Sequence, residues 1–365
     1  MSHGWVLIYK EFTYAGSTQY KQVSMYCAME RKIVKDSYDS FLGIYIPTYN
    51  RGKLLEENLS TILPQFQEYN FPVFVLDDSS QDDTEEIVRN FEKRFNNIFY
   101  IRNASNSGLY LNILNCLAMA NTKYLWLMGD DDAISKGSLE TIIPVLRKGY
   151  DYAVLNSIAL DKDLKEVRLN KIIKCKTDRI YPAGMSPKLL VDLKKWTYHG
   201  FISSMIFKKE LITALIAKYE DKHFILYGNI WFPTALFYEA ISNKTGIFLC
   251  EPVVLNRNNP YLSAKGLWDY AFLDHVKAVA YLSDKGYELK ALKKASKISF
   301  LNSLILSLVS KSLNPTDHIF SGPIKSNNLI SFTTKSVALM IDCAPGYLIR
   351  YANRIISRLK NITDR

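Results

Sequence analysis

Tyr124-Leu125-Trp126-Leu127-Met128-Gly129-Asp130-Asp131-Asp132 sets five apolar residues directly before a glycine and three consecutive carboxylates. A short apolar run closed by a turn residue reads as a buried strand, and its end delivers the three acids to one edge of a sheet. Working outward, the same pattern recurs. Residues 41–46 read as a strand ended by Pro47 and followed by Thr48-Tyr49-Asn50-Arg51, and residues 72–76 as a strand followed by Asp77-Asp78-Ser79-Ser80. Between them, residues 53–68 repeat apolar side chains at helical spacing, with Pro64 expected to kink or shorten the helix. Asp82 or Asp83 can cap a helix running to about residue 95, residues 98–101 form a third strand and residues 107–120 a third helix. The order βαβαβαβ predicts an α/β fold with a mostly parallel, doubly wound sheet, and ligands of such sheets lie outside the carboxyl ends of the strands.

The second half is less regular. Residues 137–148 read as a helix, 152–156 as a strand, 160–181 as a charged excursion with a hairpin, 201–207 as a strand, 208–219 and 230–241 as helices, and 246–250 as a strand. Helical, basic sequence follows from residue 268. The expected organisation is an N-terminal extension over 1–38, a core over 39–257 divided into two halves (39–135 and 136–257), and a basic helical C-terminal region over 258–365.

Of the 365 residues, 48% are hydrophobic and 22% charged, with 24 Tyr and 18 Phe, which excludes a fully disordered chain. The net charge is +10, and residues 261–365, with fifteen basic and seven acidic side chains, hold +8 of it. Cys27, Cys116, Cys175, Cys250 and Cys343 are odd in number, far apart and never spaced as CxxC. Neither a disulfide framework nor a structural zinc site is expected from that spacing, and a reducing cytosol fits it best. Residues 298–310, the longest uncharged stretch of the tail, fall short of the roughly 20 apolar residues of a membrane span. The first residues lack the pattern of a secretory signal.

The polar clusters sit at the predicted strand ends. Three adjacent carboxylates have a bland alternative, a helix N-cap by Asp132. The apolar strand before them instead presses them to a sheet edge, where a hard cation with oxygen ligands neutralises them. Mg²⁺ or Mn²⁺ suits them better than Zn²⁺, since no His or Cys is near in sequence. Asp78, at the exit of the second strand, can accept hydrogen bonds from a base or ribose edge, although a polar turn before a helix is its plain reading.

Tyr45-Ile46-Pro47-Thr48-Tyr49-Asn50-Arg51, Val75-Leu76-Asp77-Asp78-Ser79-Ser80-Gln81-Asp82-Asp83-Thr84, Asn106-x-Gly108-x-x-x-Asn112 and Tyr124-x-Trp126-x-Met128-Gly129-Asp130-Asp131-Asp132 together resemble the family 2 glycosyltransferases of GT-A fold, bacterial surface-polysaccharide type, in order and spacing. The resemblance is strong over residues 41–150, weak over 151–257 and absent beyond. It implies that Pro47, Thr48, Tyr49 and Arg51 border a nucleotide-sugar donor, that Asp78 faces the base, and that Asp130 lies near the ribose. It also implies Asp131 as a ligand of Mn²⁺ or Mg²⁺, with Asp132 contributing through water or by holding the loop, and inverting transfer to a glycan or lipid-linked acceptor. Members commonly place an acidic pair before a helix of the second half as the base. Here Tyr227-Gly228-Asn229-Ile230-Trp231 puts Asn229 in that place, and Asn cannot take a proton. Asp221 ranks first as a replacement, ahead of Glu220, with His223 and His199 as further candidates.

In the tail, Leu348, Tyr351, Ile355 and Leu359 share one helical face and Arg350, Arg354 and Arg358 another, while Lys290, Lys293, Lys294 and Lys297 precede a second apolar stretch. Packing on the core and peripheral contact with anionic lipid both explain this pattern. No nucleic-acid motif accompanies the charge, so no nucleic-acid partner is expected. The expected location is cytoplasmic, at the inner face of the plasma membrane. Two other readings stand beside the enzyme: a non-catalytic nucleotide-sugar-binding protein, favoured by the missing acidic pair, and a nucleotidyltransferase, disfavoured because Thr48-Tyr49-Asn50-Arg51-Gly52 is no glycine-rich phosphate loop.

Overall fold

The computed structural model describes residues 38–160, 167–193, 201–229, 231–257 and 274–287. The described residues open with β1 (Leu42–Thr48), α1 (Gly52–Glu68), β2 (Val73–Asp77), α2 (Thr84–Glu92), β3 (Ile98–Arg102), α3 (Leu109–Met119) and β4 (Tyr124–Leu127). It continues through β5 (Ala133–Ile134), α4 (Ser138–Arg147), β6 (Tyr152–Leu160), β7 (Val167–Lys171), β8 (Arg179–Tyr181), α5 (Ser186–Asp192), a 3₁₀ turn (Ile202–Ser204), β9 (Met205–Lys208), α6 (Glu210–Glu220), α7 (Phe232–Ile241), β10 (Gly246–Arg257) and α8 (Asp274–Asp284). One sheet runs in the order β3-β2-β1-β4-β9-β6-β10-β5, with β7 on β6 and β8 on β10. β1, β2, β3 and β4 are parallel neighbours, β9 is antiparallel to both β4 and β6, and β6 and β10 pair in parallel. Six strands therefore share one direction, β1, β2, β3, β4, β6 and β10, and the sheet is mostly parallel.

The apolar runs bury both sides because side chains alternate along a strand. Ile44, Ile46, Val73, Val75 and Trp126 pack against Leu55, Leu59 and Ile62 of α1, Val88 of α2 and Leu139, Ile142 and Leu146 of α4. Tyr45, Phe74, Leu76, Leu125 and Leu127 face the other way, with Leu114 and Leu117 of α3, Ile212 of α6, Phe237 of α7 and Leu282 of α8. Doubly wound packing is thus observed.

Local differences from the sequence reading have local causes. Pro47 lies inside β1, opposite Leu76 of β2, where β4 has already ended: its pairing with β1 stops at Tyr45. Pro47 has no amide to donate and no strand there to receive one. Pro64 is exposed within an unbroken α1, so the rung it removes faces solvent, while Leu59, Ile62, Leu63 and Phe66 bury the opposite side. β10 runs past residue 250 to Arg257 through register shifts around Pro252. The cysteine expectation needs a correction: Cys175 and Cys250 form a disulfide across 75 residues, with Cα atoms 5.8 Å apart. Spacing in the chain does not reveal this pair, because the approach is made by the segment after β7 returning to β10. Cys116 is a free, buried thiol.

The extension 1–37, His199, and the basic tail with Lys290, Lys293, Lys294, Lys297, Arg350, Arg354 and Arg358 lie outside the described residues. Among the described residues, no helix is long and apolar enough to cross a membrane.

Gly246 opens β10 beside Tyr152 of β6, and a Cβ at that position would run into the Tyr152 ring. Gly246→Ala is expected to destabilise the protein by about 3 kcal/mol through overpacking, measured by denaturant unfolding; an unchanged midpoint would show that the ring has room to move.

Candidate active site

The loops after β1, β2 and β4 meet at one edge of the sheet. The Asp78 amide donates to the Thr48 carbonyl (2.9 Å), joining the ends of β1 and β2. Asn50 and Ser79, at φ 51° and 68°, adopt the left-handed conformation that L residues enter at a cost. The cost is offset by paired contacts: the Asn50 amide donates to Ser80 Oγ (2.8 Å), and Asn50 Oδ1 accepts from the Gln81 amide (2.6 Å).

Each acid of the two clusters has a separate environment. Asp77 is fully buried and accepts from the Ser80 amide (2.9 Å), Ser80 Oγ (2.5 Å), the Tyr100 hydroxyl (2.5 Å) and Arg102 Nη1 (3.2 Å). It holds the loop and is closed to ligands. Asp78 is 2% exposed; its Oδ1 accepts from Asn103 Nδ2 (2.7 Å), the Ser107 amide (2.9 Å) and Ser107 Oγ (2.8 Å), and its Oδ2 from the Gly108 amide (2.7 Å). Asp78 therefore shapes the 103–108 loop that leads into α3. Asn112 of α3 supports both strand ends, donating to the carbonyls of Leu76 (3.0 Å) and Thr48 (3.4 Å).

After β4, the three carboxylates part company. Asp130 is buried, accepting from Thr48 Oγ1 (2.8 Å) and from Arg51 Nη1 (2.6 Å). Burial pushes its carboxyl up to about 6 even though the Arg51 charge opposes the shift. Asp131 is the most open of the three, its side chain 22% exposed, and its Oδ2 lies 3.2 Å from Arg51 Nη2.

The sequence pairs Asp132 with Asp131 as a metal ligand, but its carboxylate is turned into the protein and is 3% exposed. Ser203 Oγ donates to its Oδ2 (2.5 Å), and Asn256 Nδ2 (3.1 Å) and the Arg257 amide (3.2 Å) donate to its Oδ1. Burial, and then the neighbouring Asp131 charge, raise its pKa.

Four residues around this turn escaped the sequence reading. Asn58 Nδ2 donates to the carbonyls of Gly129 (3.1 Å) and Asp132 (2.8 Å). Ser203 also accepts the Gly129 amide (2.9 Å). Arg257 Nε donates to the Asp131 carbonyl (2.8 Å), and its guanidinium pairs with Glu57. Asn58 did leave a signal, a polar residue in the buried stripe of α1 between Leu55 and Leu59. Ser203, Asn256 and Arg257 left none.

Thr48, Arg51, Asp130 and Asp131 are brought together, with Pro47 in the strand before them and Tyr49 at 43% exposure beside them. The proposed base residues do not join this group by any ion pair among the described residues. Glu220 ends α6, half-buried, and burial raises its pKa. Asp221 follows it, exposed, and its Oδ1 accepts the His223 amide (2.9 Å). The end of α6 meets the start of α3, where the Tyr110 hydroxyl donates to the Tyr219 carbonyl (2.7 Å). Asn229 is 2% exposed, with Oδ1 accepting the Trp231 amide (2.7 Å) just before α7. It shapes that helix start.

Residues 43–216 match the model of Glycosyl transferase family 2. The chain carries a family 2 glycosyltransferase domain. It is 28% identical over 266 residues to abequosyltransferase RfbV of Salmonella typhimurium, covering 70% of this chain and 78% of that protein. It is 24% identical over 295 residues to the GalNAc(5)-diNAcBac-PP-undecaprenol beta-1,3-glucosyltransferase of Campylobacter jejuni, covering 76% and 95%. Among solved structures it resembles S. aureus TarS 1-349 in complex with UDP-GlcNAc, with a TM-score of 0.53 at 14% identity, covering 87% of this chain and 92% of that one. That likeness shows a shared fold. The glycosyltransferase has its strand-end loops at the edge described above.

The inward and outward carboxylates should separate by stability. Asp132→Ala strands three donors, two of them on buried residues, and is expected to cost about 3 kcal/mol, whereas Asp131→Ala, partly exposed beside a like charge, should stay within about 0.5 kcal/mol of the parent. Urea unfolding of the two apo variants measures both; equal losses would contradict the division of roles.

Proposed function

We propose that the enzyme is an inverting, divalent-cation-dependent hexosyltransferase that moves a sugar from a nucleotide-diphosphate sugar to a hydroxyl of a glycan or lipid-linked acceptor. The observation that carries this reading is the joining of Thr48, Arg51, Asp130 and Asp131 at the carboxyl ends of β1 and β4. The donor set fits a hard cation of a particular kind. Among the described residues, no three metal-ligating side chains converge, so the site is no all-protein cage. A single outward carboxylate, Asp131, completed by phosphate oxygens and water, is the arrangement that Mg²⁺ and Mn²⁺ accept. When bound there, the cation neutralises charge developing on the departing diphosphate, an effect of several kcal/mol.

The protein's own residues supply the rest. Pro47, Thr48, Tyr49 and Arg51 border the donor, Asp130 lies at the ribose, and Asp78, its carboxylate held by four donors, organises the 103–108 loop beside the base. Asp132 positions the turn. In transfer, the acceptor oxygen forms its bond to the anomeric carbon on the face opposite the diphosphate, the carbon–phosphate oxygen bond breaks with its electron pair leaving on the diphosphate, and a carboxylate takes the acceptor proton. Of the base candidates, Glu220 gains from its raised pKa, which brings a carboxylate closer to working pH; Asp221 is the alternative at the same helix end. The charge of residues 261–365, +8, supports contact with an anionic cytoplasmic membrane surface, where a lipid-linked acceptor would be met.

Asp131→Ala is expected to lower transfer about a thousandfold, the kinetic equivalent of losing several kcal/mol of leaving-group stabilisation. A panel of UDP-, GDP-, dTDP- and CDP-sugars with Mn²⁺ provides the assay; donor turnover unaffected by the substitution would remove Asp131 from the site. In the same assay, Glu220→Gln and Asp221→Asn identify the base by which of them abolishes transfer, and full activity in both would exclude this helix end. For the tail, replacing Arg350, Arg354 and Arg358 by Gln should release the protein from anionic liposomes, as should raised salt for the parent. Failure of the parent to sediment at low salt would refute membrane contact.

A further inference from the structure

The carboxylate that a cation would need, Asp131, is already engaged, together with its neighbour Asp130. Arg51 Nη1 is 2.6 Å from Asp130 Oδ1, and Nη2 is 3.2 Å from Asp131 Oδ2, so one guanidinium bridges both. It stands at the start of α1 with its side chain 39% exposed, room enough to leave without disturbing the core. Asp130 keeps Thr48 as a donor when the guanidinium departs.

We propose that Arg51 is the resident counter-ion of Asp130 and Asp131 and makes cation binding conditional on a diphosphate being present. This rests on the cation-dependent reading of the site given above. Charge accounting supplies the reason. With Arg51 in place, the two carboxylates and the guanidinium sum to a single negative charge, a poor site for a lone divalent ion, which would leave the cluster positive. A nucleoside diphosphate arriving alone would meet two carboxylates. Arriving together, cation and diphosphate would restore balance: Asp131 would hold the cation, and the guanidinium would turn to the phosphate oxygens, which it can grip with two parallel donors. Arg51 thereby couples the two ligands, and coupling is reciprocal: each raises the other's affinity by the same factor.

The test measures Mn²⁺ binding directly, by the loss of the free-ion electron paramagnetic resonance signal, with and without saturating UDP, GDP, CDP or dTDP. For the parent, one of the nucleotides is expected to tighten Mn²⁺ binding by about tenfold or more. Arg51→Met is expected to bind Mn²⁺ alone about tenfold tighter than the parent and to lose most of the nucleotide coupling. Arg51→Lys, which keeps the charge but not the two-pronged grip, should fall between. Equal or weaker Mn²⁺ binding by Arg51→Met without nucleotide overturns the counter-ion role while leaving the carboxylates as a cation site. No Mn²⁺ binding by either protein, with any nucleotide, overturns the cation-dependent reading as well.

Discussion

Three adjacent carboxylates at the end of a buried strand repel one another and resist burial, and a stable turn requires that each be answered separately. In this protein the answers come from different parts of the chain: Thr48 and Arg51 for Asp130, and Ser203, Asn256 and the Arg257 amide for Asp132. Asp131 keeps an open flank because its neighbours are both held elsewhere. The backbone of the turn is gripped as well, by Asn58 on the carbonyls of Gly129 and Asp132 and by Arg257 on that of Asp131. A buried charge unanswered in this way would either protonate or unfold the turn. The neighbouring loop follows the same logic, with Asp77 spent on structure and Asp78 on the approach to α3.

The alternation of apolar runs with helical stripes made the first half of the fold legible, since each run had to be buried on both faces and each stripe had to cover one. Strand ends were legible for the same reason: the polar residues after Ile46, Leu76 and Met128 had nowhere to go but the sheet edge. Thr48, Arg51 and Asp130 meet there. What could not be read was direction of approach. Nothing in Asp130-Asp131-Asp132 says which carboxylate turns inward, because that depends on Ser203 and Asn256, whose contacts with the turn are made only in three dimensions. The two-residue β5, the reach of β10 beyond a register shift and the Cys175–Cys250 bond share that origin. Asn229 has no proton-accepting group to offer, and its buried contact with the Trp231 amide gives it a structural occupation.

The continuation of β10 past Pro252 has a consequence for how the enzyme comes into being. Asn256 and Arg257, at its last turnings, reach back across 124 to 126 residues to the carboxylate turn. A ribosome that has released residues 38–132 has made Thr48, Arg51 and the three carboxylates, yet the turn carrying Asp131 still lacks three of its braces, Ser203, Asn256 and Arg257. Contacts this distant in sequence form late, since a long loop must close before they are rewarded. The nascent chain thus carries an unfinished carboxylate turn until β10, the last strand among the described residues, is laid down.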